Sequence, residues 1–188
     1  MILRVGGLLE RSRVNGPGER FVVWVQGCGL GCPGCFNPGL WTKEGGARWP
    51  VEELAARIHA VPGLRGVTVS GGEPLEQPEA VAELLALLAP RLDTVVFTGH
   101  TLEEARSDPR KDAVLARADL LVAGRFLRGQ AAEGRWAGSS NKVLHALSGR
   151  IRADEAPGGG VEITLSGNGS AIMTGFPLES LRAALRGT

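Results

Sequence analysis

The chain has 188 residues, 43% of them hydrophobic and 22% charged, enough for one core that buries ~70% of the unfolded surface and too apolar for a disordered chain. Its 21 basic and 20 acidic residues leave a formal charge of +1, which excludes the electrostatic footprint of a nucleic-acid or anionic-membrane binder. No apolar run approaches the ~20 residues that span a bilayer, and Met1 to Leu9 is too short and glycine-rich for a secretory signal, so the cytoplasm is the expected compartment.

Arg20 to Gln26 is apolar and β-branched and runs into glycine, the profile of a strand buried on both faces. Pro50 then opens a helix over Val51 to Val61, and Gly66 to Ser70 reads as a short buried strand. In Pro78 to Leu88 the residues Ala80, Val81, Leu84, Leu85 and Leu88 recur at helical spacing. Asp93 to Thr98 is a strand, Leu102 to Arg106 and Lys111 to Arg117 are short helices, and Asp119 to Ala123 is a further strand. Such alternation predicts βαβ crossovers and a mainly parallel sheet with helices outside, whose ligands bind at the carboxyl ends of the strands.

Arg128 to Ser140 is polar and contains glycine, as an ordered loop or lid would. Val161 to Leu165 and Ala171 to Met173 alternate around Ser166 to Gly169, which predicts a hairpin, and a final helix is expected over Pro177 to Leu185. Residues 1 to 188 are thus expected to form a single α/β domain with residues 151 to 188 as its hairpin and helix extension. There is no internal repeat, Walker loop or Rossmann glycine fingerprint, which argues against an ordinary nucleotide site.

The three cysteines, Cys28, Cys32 and Cys35, stand in C-x3-C-x2-C spacing on a glycine-rich loop directly after the first of these strands. An odd number of thiols in eight residues is not a disulfide framework. Three thiolates hold three irons of a 4Fe-4S cubane, leaving the fourth iron open. The spacing alone also admits zinc bound by the cysteines with His59, His100 or His145, and a redox or inert thiol cluster.

The cysteine loop, followed by Ser70-Gly-Gly-Glu-Pro74 at the end of the next strand, resembles the radical S-adenosylmethionine superfamily. That resemblance implies a 4Fe-4S cluster on Cys28, Cys32 and Cys35, whose open iron chelates S-adenosyl-L-methionine. It also implies that the strand end Ser70, Gly71, Gly72, Glu73 and Pro74 meets the methionine amino group. A glycine pair exposes carbonyls to an ammonium without side-chain obstruction, while Glu73 reads equally well as a local cap.

Val14 to Arg20, Cys32 to Pro38 with Trp41, Asp119 to Phe126 and Trp136 to Asn141 are similar to the activating enzymes of anaerobic (class III) ribonucleotide reductase. Gly34, where the wider superfamily often has an aromatic residue, fits that branch. The resemblance implies an incomplete parallel β/α barrel and a glycyl-radical enzyme as partner, with flavodoxin or ferredoxin as electron donor. Phe36 is expected against the adenine, Asn37 on the cluster loop and His100 at the mouth. Asn15 to Gly18 reads as a rigid turn, and Arg125 and Ser139 to Asn141 match the branch without an assigned step. Ile151 to Thr188 lies outside these motifs. A radical enzyme with another target, a zinc domain and an electron-transfer protein are the rival readings.

Overall fold

The computed structural model describes residues 1–130, 137–155, 160–165, 167, 169 and 171–176. Its strands are β1 (Ile2–Ser12), β2 (Arg20–Val25), β3 (Ala47–Pro50), β4 (Gly66–Gly71), β5 (Asp93–Thr98), β6 (Leu120–Ala123), β7 (Val143–Ala146), β8 (Val161–Leu165) and β9 (Ala171–Gly175). The α-helices are α1 (Val51–Ala60), α2 (Pro78–Leu88), α3 (Leu102–Arg106) and α4 (Pro109–Leu115). Seven strands form one sheet in the order β3-β1-β2-β4-β5-β6-β7. β2, β4, β5 and β6 are mutually parallel, as the alternation predicts. β1, β3 and β7 join the margins antiparallel.

Those marginal strands were not expected, for a physical reason. β3 and β7 have four residues each and none of them is buried, and β1 carries Gly6-Gly7 and two register shifts, so none shows a sustained apolar alternation. α4 begins two residues before the expected Lys111, because Asp108 accepts a hydrogen bond from the Arg110 N–H and Pro109 occupies the first turn.

One face of the sheet is covered by helices. Val23, Val69, Val96 and Leu121 from the central strands pack with Leu54, Ile58, Leu84 and Leu85 in a single core. The alternate residues Val95, Phe97, Leu120 and Val122 face the other side, with Ala137 and Ile151. β8 and β9 form the expected hairpin as a separate antiparallel pair. It is fastened to the turn before β2, where Asn15 Nδ2 donates to Thr174 Oγ1 at 2.8 Å and the Arg13 N–H donates to Glu162 at 2.8 Å. The expected helix over Pro177 to Leu185 lies outside the described residues, as does Trp136.

The amino ends of the parallel strands are locked by one buried cation. Arg20, fully buried, directs all its N–H groups to Thr68 Oγ1, Pro17 O, Val67 O, Asp93 O and, at 2.6 Å, Asp93 Oδ1. Burial pulls its pKa down against the opposing pull of Asp93. Arg65 holds the second Asp93 oxygen at 2.9 Å and also pairs with Glu155. The carboxyl ends are therefore free to diverge into the loops that carry chemistry.

Candidate active site

The loop after β2 holds the cysteines. Its path is set by backbone bonds: Gly27 N–H donates to Leu40 O and Cys28 N–H to Trp41 O, both at 2.9 Å. Glu76 braces it from the far side, accepting from the Gly29 N–H at 2.5 Å and facing Lys43 at 3.5 Å. None of the three cysteines forms a disulfide. Burial pushes the Cys28 thiol above its ordinary pKa, with Glu73 and Glu76 adding to the rise, while the amides of Leu30 and Gly31 act against it. The Asn37 N–H donates to Cys35 Sγ at 3.4 Å. Amide groups aimed at sulfur suit thiolates that are charged once a metal is present.

The strand end after β4 lies directly on this loop. Gly72 N–H donates to Val25 O and Glu73 N–H to Gly27 O, both at 2.8 Å. A Cβ on Gly72 would stand 2.3 Å from Gly27 O, and Gly71 has φ +105° with the β2 backbone where its Cβ would be. The glycine pair thus lets two backbones touch, a reason the sequence alone does not show. Glu73 is 1% exposed, and its carboxylate accepts from Leu75 N–H, Thr98 Oγ1 and Gly99 N–H at 2.8–2.9 Å. It caps its own turn and ties β4 to β5, which is the cap reading of that residue.

Cys28, Cys32, Cys35, Ser70, Gly71 and Gly72 line one cleft of about 700 Å³. Phe36, Asn37 and Glu73 line it too, so the structure brings together most of the residues singled out in the sequence. Pro74 is buried beneath, at the start of the following turn. Trp41, named in the sequence motif, and Lys142, which was not, also matter. Trp41 lines the cleft with its indole N–H buried and without a hydrogen-bond partner. Lys142 is the only cationic side chain among the described residues lining it; burial lowers its pKa, opposed by Glu73, Cys32 and Cys35. Lys142 precedes β7, a strand the sequence reading missed, and its signal was being one of three lysines among 21 basic residues. Phe36 meets Phe126 at 5.0 Å and Phe176 at 6.4 Å between ring centroids, forming an aromatic wall.

Other candidates sit elsewhere. His59 on α1 contacts Leu87 O, His145 pairs with Leu121 in the sheet, and His100 has its ring 3.5 Å from Glu104. None of the three lines the cleft. Arg125 points to Glu104, and its carbonyl accepts from Asn141 Nδ2 at 2.9 Å. Ser139, fully buried, accepts the Lys142 N–H through its carbonyl. The Ser139 to Asn141 stretch therefore braces the segments that present Phe126 and Lys142. Gly16 and Gly18 adopt positive φ in the turn expected there.

The 4Fe-4S single cluster domain family matches residues 14–145. The chain belongs to this family. The anaerobic ribonucleoside-triphosphate reductase-activating protein of Vibrio cholerae is 36% identical over 147 residues, covering 72% of this chain and 92% of that protein. The protein of the same description from Escherichia coli is 33% identical over 145 residues, covering 71% and 92%. Among solved structures, QueE from Escherichia coli covers 54% of each chain at 18% identity, with a TM-score of 0.44. The residues present fit the cluster: three thiols on one loop, amides directed at two of the sulfurs, and an orphaned buried indole N–H beside them.

Proposed function

We propose that this chain is a radical S-adenosylmethionine enzyme that installs a glycyl radical on a partner enzyme, an anaerobic ribonucleotide reductase. The observation that carries this reading is the contact of the cysteine loop with the Gly71-Gly72-Glu73 strand end inside one cleft. When bound and reduced by one electron, the cluster supplies cleavage of S-adenosylmethionine to methionine and a 5′-deoxyadenosyl radical, which takes a hydrogen atom from the partner's glycine.

The chain's own residues have distinct tasks. Cys28, Cys32 and Cys35 would hold the cluster, supplying three of the four protein ligands that a complete cysteine shell has. The buried indole N–H of Trp41 would be available to donate to a cluster sulfur, and Lys142 would supply a positive charge beside the cluster to favour its reduced form. The carbonyls of the Gly71-Gly72 turn, with Ser70 beside them in the cleft lining, would accept from the cofactor's ammonium. Phe36, Phe126 and Phe176 exclude water from the radical's path. Flavodoxin or ferredoxin is the proposed electron donor, the cytoplasm the proposed compartment, and the sheet the open part of a β/α barrel within a single domain.

The test is anaerobic incubation of the reconstituted protein with dithionite, S-adenosylmethionine and the anaerobic reductase. The expected result is a carbon-centred electron paramagnetic resonance doublet on the reductase that collapses in samples made with α-deuterated glycine. A reductase that stays silent while 5′-deoxyadenosine accumulates would remove the partner from the proposal and keep the chemistry.

A further inference from the structure

Apart from the cysteine cleft, a cavity of about 560 Å³ opens where the margin of the sheet meets the start of α2. Arg4 on β1, Arg48 on β3, and Glu79 and Ala80 in the first turn of α2 line it. None of its lining residues belongs to the cysteine cleft.

The two arginines are placed at a cost. Arg4 and Arg48 are direct partners in the antiparallel pairing of β1 with β3, so two guanidinium groups share one face, where like charges repel. Among the described residues neither side chain has an ion pair or a hydrogen bond. The Arg4 Nε–H is buried without an acceptor, which costs stability until one arrives. By contrast, Arg20 and Arg65 both reach Asp93.

The start of α2 adds donors of its own. Its N-cap, Gln77, commits its side chain to the Arg4 N–H, the Arg4 carbonyl and Gln26 O, and makes no cap bond to the helix. Those bonds hold β1 against the helix start, so Arg4 and the first-turn amides stay together. An uncapped helix N-terminus attracts phosphate and other anions. Glu79 is the one acidic side chain among the described residues that line the cavity. It is 52% exposed and lies 4.0 Å from Arg110, which leaves the paired arginines in excess.

Three elements thus offer donors to one space. A carboxylate brings two oxygens and a single charge, whereas a phosphate monoester brings three acceptor oxygens and nearly two charges, which two guanidinium forks and a helix start can use in full. Met1 and Ile2, exposed and apolar, form the adjoining wall and suit the organic part of such an ester. We propose that the cavity between β1, β3 and the start of α2 binds the phosphate group of a small phosphate monoester through Arg4, Arg48 and the first amides of α2. The site stands apart from the radical function proposed above and does not depend on it.

The test is calorimetric titration of the full-length, cluster-loaded protein, at low ionic strength, with phenyl phosphate, inorganic phosphate and benzoate. Phenyl phosphate should bind saturably and ~10-fold or more tightly than benzoate. Arg4→Gln and Arg48→Gln, each checked for melting temperature, should weaken it ~10-fold or more, and Glu79→Gln should tighten it several-fold by removing a like charge. Arg106→Gln, the same charge change at an exposed position of α3, should bind as the parent does. Should Arg4→Gln fail to fold, Arg48→Gln decides, because Arg48 is exposed and its loss leaves the core intact. Inorganic phosphate binding as tightly as phenyl phosphate keeps the site and makes free phosphate its ligand. No saturable phosphate binding, benzoate binding as tightly as phenyl phosphate, or phosphate binding that Arg48→Gln leaves unchanged overturns the inference.

Discussion

The two ends of the parallel strands are opposites. At their amino ends Arg20 has every N–H group satisfied and Asp93 accepts from both Arg20 and Arg65. At their carboxyl ends the Trp41 indole N–H and Asn141 Oδ1 are buried without partners, and Lys142 is held in a cleft that depresses its pKa. A saturated network stabilises and has nothing left to offer a ligand, while an unsaturated one costs stability and waits for a partner. The fold therefore separates stability from chemistry along the strand direction.

Substitutions can break that separation from either end. The largest expected effect is chemical: Cys28→Ala, Cys32→Ala or Cys35→Ala should lower the iron bound after anaerobic reconstitution from ~4 per chain to near zero, measured by metal analysis. The melting temperature of the cluster-free protein should barely move. At the other end, Asp93→Asn strands a buried guanidinium, and calorimetry should show a loss of roughly 3–5 kcal/mol, or a melting temperature lower by about 10 °C. The fraction that stays folded should still load iron.

Smaller effects sharpen the contrast. Lys142→Met removes the cation from the cysteine cleft, so a spectroscopic redox titration should find the cluster's potential lowered by roughly 50 mV, with little change in melting temperature. The smallest concerns pH. The Arg65 guanidinium holds the Glu155 carboxyl below its usual range, so its folded-state pKa is depressed. That stabilisation is present above the unfolded carboxyl pKa of ~4.3 and is lost as pH falls through the lower folded value. Hydrogen exchange below about pH 4 should therefore show the segment around Glu155 loosening before the parallel strands do, and Glu155→Gln should show the same loosening at neutral pH.

Legibility in the sequence followed the same division. The central strands and α1 and α2 were readable because Val23, Val69, Val96 and Leu84 sit in continuous or periodic apolar runs that a two-sided core demands. The cysteine loop and the glycine pair were readable because their spacing is chemically specific. β1, β3 and β7 were not, since strands at the sheet margin bury too little to leave a pattern. Lys142 and the orphaned indole N–H of Trp41 acquire meaning only when separate segments meet in three dimensions. Glu73 shows the limit most clearly: its place in the motif suggests a cofactor contact, and only the structure shows that its carboxylate, at the wall of the cleft, also accepts from Leu75, Thr98 and Gly99.

The central claim is that Cys28, Cys32 and Cys35 hold a cluster that cleaves S-adenosylmethionine. Its most direct test is anaerobic reconstitution with iron and sulfide, addition of dithionite and S-adenosylmethionine, and mass detection of 5′-deoxyadenosine. The account predicts product that disappears in Cys28→Ala. Zinc bound in place of iron with no product, or product undiminished in Cys28→Ala, would contradict it.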